Sequence, residues 1–180
     1  VSGTPHTDTS NEVRPGSNGK GSVLVYSSKI FGSIIANGTI TTGQMNAGAM
    51  SADDAKNNAF LDFSNESKDA KGDPFYATVD ALPDSISIWV KFVQGTPVKD
   101  YPYATASAVI TDGTRYQDPE DKTATYKNVV AKAQYATIES LDGKWQSISV
   151  PFDYDKYKSN NAAANAILVT ISTNATPGKG

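Results

Sequence analysis

The 180-residue chain has no cysteine and a single histidine, His6. The first absence removes thiol nucleophiles, disulfides and cysteine-ligated zinc. The second makes any Ser-His-Asp triad or histidine-rich zinc site depend on one imidazole. That imidazole lies in the polar stretch Ser2-Gly3-Thr4-Pro5-His6-Thr7-Asp8, where it is expected to be mobile. Long apolar runs are missing too. The longest uncharged segments, Thr39 to Ala52 and Ala162 to Pro177, are interrupted by Gly, Asn, Gln, Ser and Thr. Neither approaches the about 20 apolar residues of a membrane-spanning helix, so no membrane span is expected. Nor is there an excess of positive charge: 16 Lys and Arg stand against 19 Asp and Glu, for a net charge of -3. Such a balance creates no field that would gather phosphate backbones, so nucleic acid is not an expected partner. No charged start followed by an apolar stretch marks a signal peptide at Val1, and a mature fragment would look the same. What remains is carboxylate, hydroxyl, amide and aromatic chemistry, on a chain long enough to bury a core without staples.

Amphipathic helical periodicity is scarce, whereas short β-branched and aromatic runs between turn formers are frequent. Residues 1–21, crowded with Pro, Gly, Ser and Asn, read as an extended N-terminal segment of one domain whose body spans 22–180. Strands are expected at 22–27 and 30–35, and Asn37-Gly38 predicts a hairpin into 39–42. A connection is expected at 43–50, a helical turn near Ser51-Ala52-Asp53-Asp54, strands at 60–63 and 75–82, and a charged loop at 65–74. Ser85 to Phe92 is the cleanest strand. Its period of two places Ile86, Ile88, Val90 and Phe92 on one face and Ser87, Trp89 and Lys91 on the other. A strand of small residues, 103–111, ends at Asp112-Gly113, and a long polar loop follows over 114–127. Residues 128–138 mix helix-forming alanines with Val, Tyr, Thr and Ile. A strand is the better reading, because Asp142-Gly143 can fold it into a hairpin with 145–150. The last strand is 166–172. This pattern predicts an antiparallel all-β domain, a sandwich or jelly roll, with an up-and-down barrel as the competitor.

Sugar-binding surfaces need aromatic planes flanked by groups that bond hydroxyls. With 2 Trp and 9 Tyr the material exists. Trp89 and Lys91 lie on the polar face of the cleanest strand, where Trp89 either stacks on a ligand or packs beneath a loop or second layer. Trp145, which opens a strand after a tight turn, is expected at the edge of the core. Tyr101, Tyr103, Tyr154 and Tyr157 stand at loop ends, as ligand contacts or as caps on the core. Two acidic clusters could offer oxygens to calcium: Glu66, Asp69 and Asp73, and Asp112, Asp118, Glu120 and Asp121. Neither has EF-hand spacing, and solvated loops are the simpler reading. Glycoside cleavage needs two carboxylates at a defined separation, which linear sequence does not reveal.

Several strings together carry a more specific signal. Val13-Arg14-Pro15-Gly16-Ser17, Ala36-Asn37-Gly38-Thr39-Ile40-Thr41-Thr42-Gly43, Trp89-Val90-Lys91-Phe92, Ile110-Thr111-Asp112-Gly113-Thr114, Tyr116-Gln117-Asp118-Pro119-Glu120-Asp121, Val150-Pro151-Phe152-Asp153-Tyr154 and Ile167-Leu168-Val169-Thr170-Ile171-Ser172-Thr173-Asn174 stand at intervals over nearly the whole chain. Their ensemble closely resembles the putative carbohydrate metabolism domain of secreted or lipid-anchored bacterial surface proteins, often a C-terminal module behind a calycin-like β-barrel domain. The resemblance implies a jelly-roll β-sandwich akin to carbohydrate-binding modules, an export address at the cell surface or periplasm, and a role in handling glycans. It brings no established catalytic residues. Members of that family usually start with a further strand upstream and continue into an aspartate-rich strand downstream. Both are missing here, so a truncated domain with unpaired strand edges is expected, and the missing acidic strand weakens the case for calcium. The expected function is non-catalytic glycan binding. A glycoside hydrolase using a carboxylate pair and a structural or adhesion module binding protein are the alternatives.

Overall fold

Alternating β-branched and small residues cannot bury an apolar face alone, and here they do so as stacked sheets. The computed structural model describes residues 6–30, 34–96 and 98–175. In chain order the strands are β1 (Thr7–Ser10), β2 (Ser22–Val25), β3 (Ser28–Ile30), β4 (Ile34–Ala36), β5 (Thr39–Thr41), β6 (Gln44–Ala47), β7 (Asn57–Leu61), β8 (Ala77–Thr78), β9 (Ser85–Lys91), β10 (Ala104–Thr111), β11 (Tyr116–Asp118), β12 (Val129–Ile138), β13 (Trp145–Pro151) and β14 (Ala166–Ser172). One 3-10 turn, Lys158–Asn160, lies between β13 and β14. Among the described residues, every pairing between strands is antiparallel. The antiparallel all-β class expected from the sequence is the fold observed, a β-sandwich.

The middle sheet has the order β12-β10-β14-β5, with β8 also paired to β14. Its central strand, β10, is buried at every residue except Thr105, which is half-buried. The reason is that neighbouring residues of β10 serve opposite cores, as the alternation of a strand requires. Ala104, Ala106, Ala108 and Ile110 join Ala131, Ala133 and Ile138 of β12 against Ile86, Ile88, Val90, Ile148 and Val150 of the β9–β13 ribbon. Val109 turns the other way, with Val129, Ala166 and Leu168, against Leu61 of β7 and Tyr116 of β11. The sheet β11-β7-β6 therefore covers one face of the middle sheet and the two-stranded ribbon covers the other.

The turns signalled by the sequence reverse the chain, but not always into the expected partner. Asn37-Gly38 makes no hairpin: β4 pairs with β3, whereas β5 pairs with β14. Gly38 is required there by close approach, since a Cβ would lie 2.5 Å from the Tyr26 carbonyl oxygen. Its amide donates to the Thr173 hydroxyl at 3.1 Å. Asp142 and Gly143 do take left-handed conformations, with φ of 50° and 72°. Yet β13 pairs with β9 and β12 pairs with β10, so this turn carries the chain from the middle sheet to the outer ribbon. Two expected loops contain strands. Residues 7–10 form β1 against β2, and residues 44–47 form β6 against β7. Polar sequences such as Thr-Asp-Thr-Ser pair where an open strand edge offers backbone partners, which no side-chain pattern announces. The long polar loop likewise contains β11, paired with β7, and the strand expected over 75–82 shrinks to Ala77–Thr78. The helical turn near Ser51 is a plain turn in which the Asp54 amide donates to the Ser51 carbonyl. His6 is held rather than loose: its Nδ1 lies 3.3 Å from both the Tyr26 carbonyl and the Ser28 hydroxyl.

Candidate functional site

The β9–β13 register brings Trp89 and Lys91, read from the sequence as sharing a polar face, together with Trp145. Trp89 stands opposite Ser147, Lys91 opposite Trp145, and Ser87 opposite Ser149, all on the side away from Ile86 and Ile88. Trp89 and Trp145 are thus diagonal neighbours on one outer face. Trp89 is 44% exposed, so it is neither sealed beneath a loop nor packed in a second layer. Trp145 is half-buried, but on this outer face and not at the edge of the core where the sequence led one to expect it, because the register sets it opposite Lys91. The segment after β1 crosses this face. Glu12 forms an ion pair with Lys91, and the Arg14 guanidinium lies 5.2 Å from the centroid of the Trp89 ring. The face therefore combines two indoles with an ammonium, a guanidinium and a carboxylate, and Ser87 donates to Ser149 at 3.0 Å beside them. An exposed indole with hydroxyl-bonding groups at its rim is chemistry suited to a flat polyhydroxylated ligand.

The tyrosines do not converge on that face. Tyr101 and Tyr103 are half-buried in the segment leading to β10, where the Tyr103 carbonyl accepts a hydrogen bond from the Ala175 amide at 2.9 Å. The Tyr154 hydroxyl donates to the Pro83 carbonyl at 2.8 Å, and its ring packs 6.1 Å from that of Phe152. Burial, and to a lesser degree Asp84, raise the pKa of this hydroxyl. Tyr154 thus caps the core beneath the ribbon. Tyr157 packs on the opposite core, with Lys132 at 5.3 Å and Lys156 at 5.5 Å from its ring. Among the described residues, no ring contact joins any of these four to Trp89.

The acidic residues divide in the same way. Asp112 accepts from the amide and hydroxyl of Thr114, and Asp121 from those of Thr123, so each carboxylate closes its own turn. For the half-buried Asp121 those bonds lower the pKa. Asp69 is lowered likewise by the amides of Asp73 and Lys71. Among the described residues, no three His, Cys, Asp or Glu side chains gather as metal ligands. Glu120 pairs with a cation the chain supplies itself, and Asp118 feels both of their charges. The Lys132 ammonium donates to Glu120 at 2.6 Å and lies 5.6 Å from the Tyr116 ring centroid. Burial raises the pKa of Asp118, the Ser107 hydroxyl and Lys132 pull it down, and Glu120 adds to the rise. Burial followed by the charges of Asp118 and Glu120 also pushes the Tyr116 hydroxyl far up. The sequence reading missed this lysine-centred cluster. Its one signal was Lys132 standing between Ala131 and Ala133 in a strand of small apolar residues.

A group whose folded-state pKa lies above its unfolded value holds its proton more tightly in the folded protein. The contribution of Asp118 to stability is therefore greatest below its unfolded pKa and declines as pH rises through the folded one. Asp118→Asn is expected to flatten that decline, which sets in above the ordinary carboxylate range, while leaving the Lys132–Glu120 pair in place. Urea denaturation at a series of pH values checks this, and an unchanged slope would contradict the environment described for Asp118.

No protein-family model matches the chain, and no curated protein matches it significantly. Among solved structures it is similar to one described as a putative glycoside hydrolase from Bacteroides thetaiotaomicron VPI-5482, with a TM-score of 0.58 at 15% sequence identity. The match covers 97% of this chain and 52% of that one, so the chain spans about half the length of the protein it resembles. At this identity the likeness establishes a shared fold.

Proposed function

We propose that this domain is a non-catalytic glycan-binding module that meets its ligand on the outer face of the β9–β13 ribbon. The observation that carries the reading is Trp89, 44% exposed on a sheet face and framed by Lys91, Arg14, Glu12 and Trp145. This indole presents an apolar plane rimmed by groups that bond hydroxyls, the pairing that a sugar face and its hydroxyl edge require. The likeness to a structure described as a glycoside hydrolase, and the resemblance of the sequence strings to a carbohydrate-associated family, lend the reading support. In keeping with that resemblance, we place the module in an exported surface or periplasmic bacterial protein, beside a calycin-like domain.

Titration against a panel of soluble polysaccharides tests this reading. Trp89→Ala is expected to weaken binding by about tenfold or more, as loss of a stacked aromatic anchor does. Because Trp89 is an exposed strand residue, the variant should lose no more than about 1 kcal/mol of stability. Full retention of binding, or unfolding of the variant, would contradict the assignment. A second reading, glycoside hydrolysis, draws on the proximity of Asp118 and Glu120. It requires Asp118→Asn to abolish release of reducing sugar that the parent protein produces.

A further inference from the structure

A second concave feature lies away from the ribbon, in the loop between β7 and β8. Phe63, Asn65, Glu66, Ser67, Lys68, Pro74 and Tyr76 line a cleft of about 430 Å³, within the size range that takes a small ligand. Its apolar part is a pair of rings: Phe63 and Tyr76 pack with centroids 4.6 Å apart at 50°. Phe63 nevertheless remains 39% exposed.

The loop that shapes the cleft is held at several points. The Phe63 amide donates to the Gly113 carbonyl at 2.9 Å, and the Asn65 side-chain amide donates to Gln44 of β6 at 2.6 Å. The Asn65 side-chain oxygen accepts from the Ser67 amide at 3.0 Å. At the far end Lys68 and Pro74 form a bridge, and Asp69 accepts from the amides of Lys71 at 2.8 Å and Asp73 at 2.9 Å. Fixing the walls in advance lowers the ordering cost of binding.

The remaining polar groups of the cleft are uncommitted. Among the described residues, neither the Glu66 carboxylate nor the Lys68 ammonium takes part in an ion pair or a side-chain hydrogen bond. One of each sign cancels, so the cleft selects neither an anion nor a cation. It offers acceptors from Glu66 and donors from Lys68 over an exposed aromatic surface, the combination that fits a ring bearing vicinal hydroxyls on its rim and C–H groups on its face.

We infer that this cleft is a second binding site, one that takes a single neutral pyranose residue, with Phe63 and Tyr76 against the sugar face and Glu66 and Lys68 bonded to its hydroxyls. The inference stands on the cleft and does not require the ribbon face to bind.

The test is a titration of the isotope-labelled protein with methyl pyranosides of glucose, galactose, mannose and N-acetylglucosamine, followed by backbone amide shifts. Saturable millimolar binding by at least one of them is expected, with shifts concentrated at residues 63–68 and 76. Glu66→Gln and Lys68→Met, which remove no packing contact, should each weaken it by about fivefold or more. Trp89→Ala should leave it unchanged, which separates this site from the ribbon. No saturable shift at the cleft with any of the four sugars would overturn the inference. So would binding that survives both Glu66→Gln and Lys68→Met undiminished.

Discussion

Gly43→Ala is expected to cost about 3 kcal/mol of stability. Gly43 links β5 of the middle sheet to β6 of the covering sheet. There a Cβ would lie 2.2 Å from the Phe60 carbonyl oxygen and 2.6 Å from a terminal carbon of Leu168. The leucine carbon belongs to a buried core side chain, and the oxygen belongs to the backbone of β7, which pairs with β6. Neither can retreat without parting the two sheets. The requirement at this glycine is therefore space, not a left-handed backbone. Gly95→Ala makes the control: nothing lies within 4 Å of its would-be Cβ, so its effect should stay within about 0.5 kcal/mol. Chemical denaturation of the two variants beside the parent decides the matter. Equal midpoints for all three would mean that the sheets do not meet at Gly43 as described.

Lys132→Met should have the next largest effect, a loss of about 2 to 3 kcal/mol at neutral pH. The Lys132 side chain is 10% exposed; it pairs with Glu120, and its charge also acts on Asp118. Methionine fills similar volume but leaves the half-buried Asp118 and its neighbour Glu120 without the opposing charge. The figure sits below the usual cost of breaking a fully buried pair because Glu120 is 38% exposed and water screens it. The sign of the pH dependence follows from the remaining acid. Without the ammonium, the pKa of Asp118 in the folded protein rises further, so the variant binds more protons folded than unfolded and regains stability as pH falls. Lys132→Met combined with Asp118→Asn should recover most of the loss at neutral pH. A penalty independent of pH, or a double variant no better than the single one, would show that the lysine stabilises by packing alone.

Much of the ribbon was legible in the sequence. The alternation from Ser85 to Phe92 correctly separates the Ile86 and Ile88 face from the Trp89 and Lys91 face, because a period of two is a property of the strand itself. The exposure of Trp89 was not legible, since burial of a strand's polar side depends on what crosses it. Only the folded chain shows that Arg14 lies over the Trp89 ring and Glu12 pairs with Lys91 while Trp89 stays 44% exposed. The lysine-centred cluster escaped for a related reason. Asp118 and Lys132 lie on β11 and β12, which belong to different sheets, and no local spacing relates them. The cleft at Phe63 and Tyr76 is likewise a product of how the charged loop closes on itself.

The sequence by itself determined the class of the fold, the places where the chain turns and which side of each strong strand is apolar. It also removed thiol chemistry and left imidazole chemistry resting on His6 alone. All of these are set by residue type and local backbone preference. The tertiary structure alone decided which strands pair, that the middle sheet is covered on both faces, and which charges meet. Backbone hydrogen bonds are the same for every strand, so a ladder carries no address. Partners are chosen by side-chain fit between layers, and that fit exists only once the sheets are stacked.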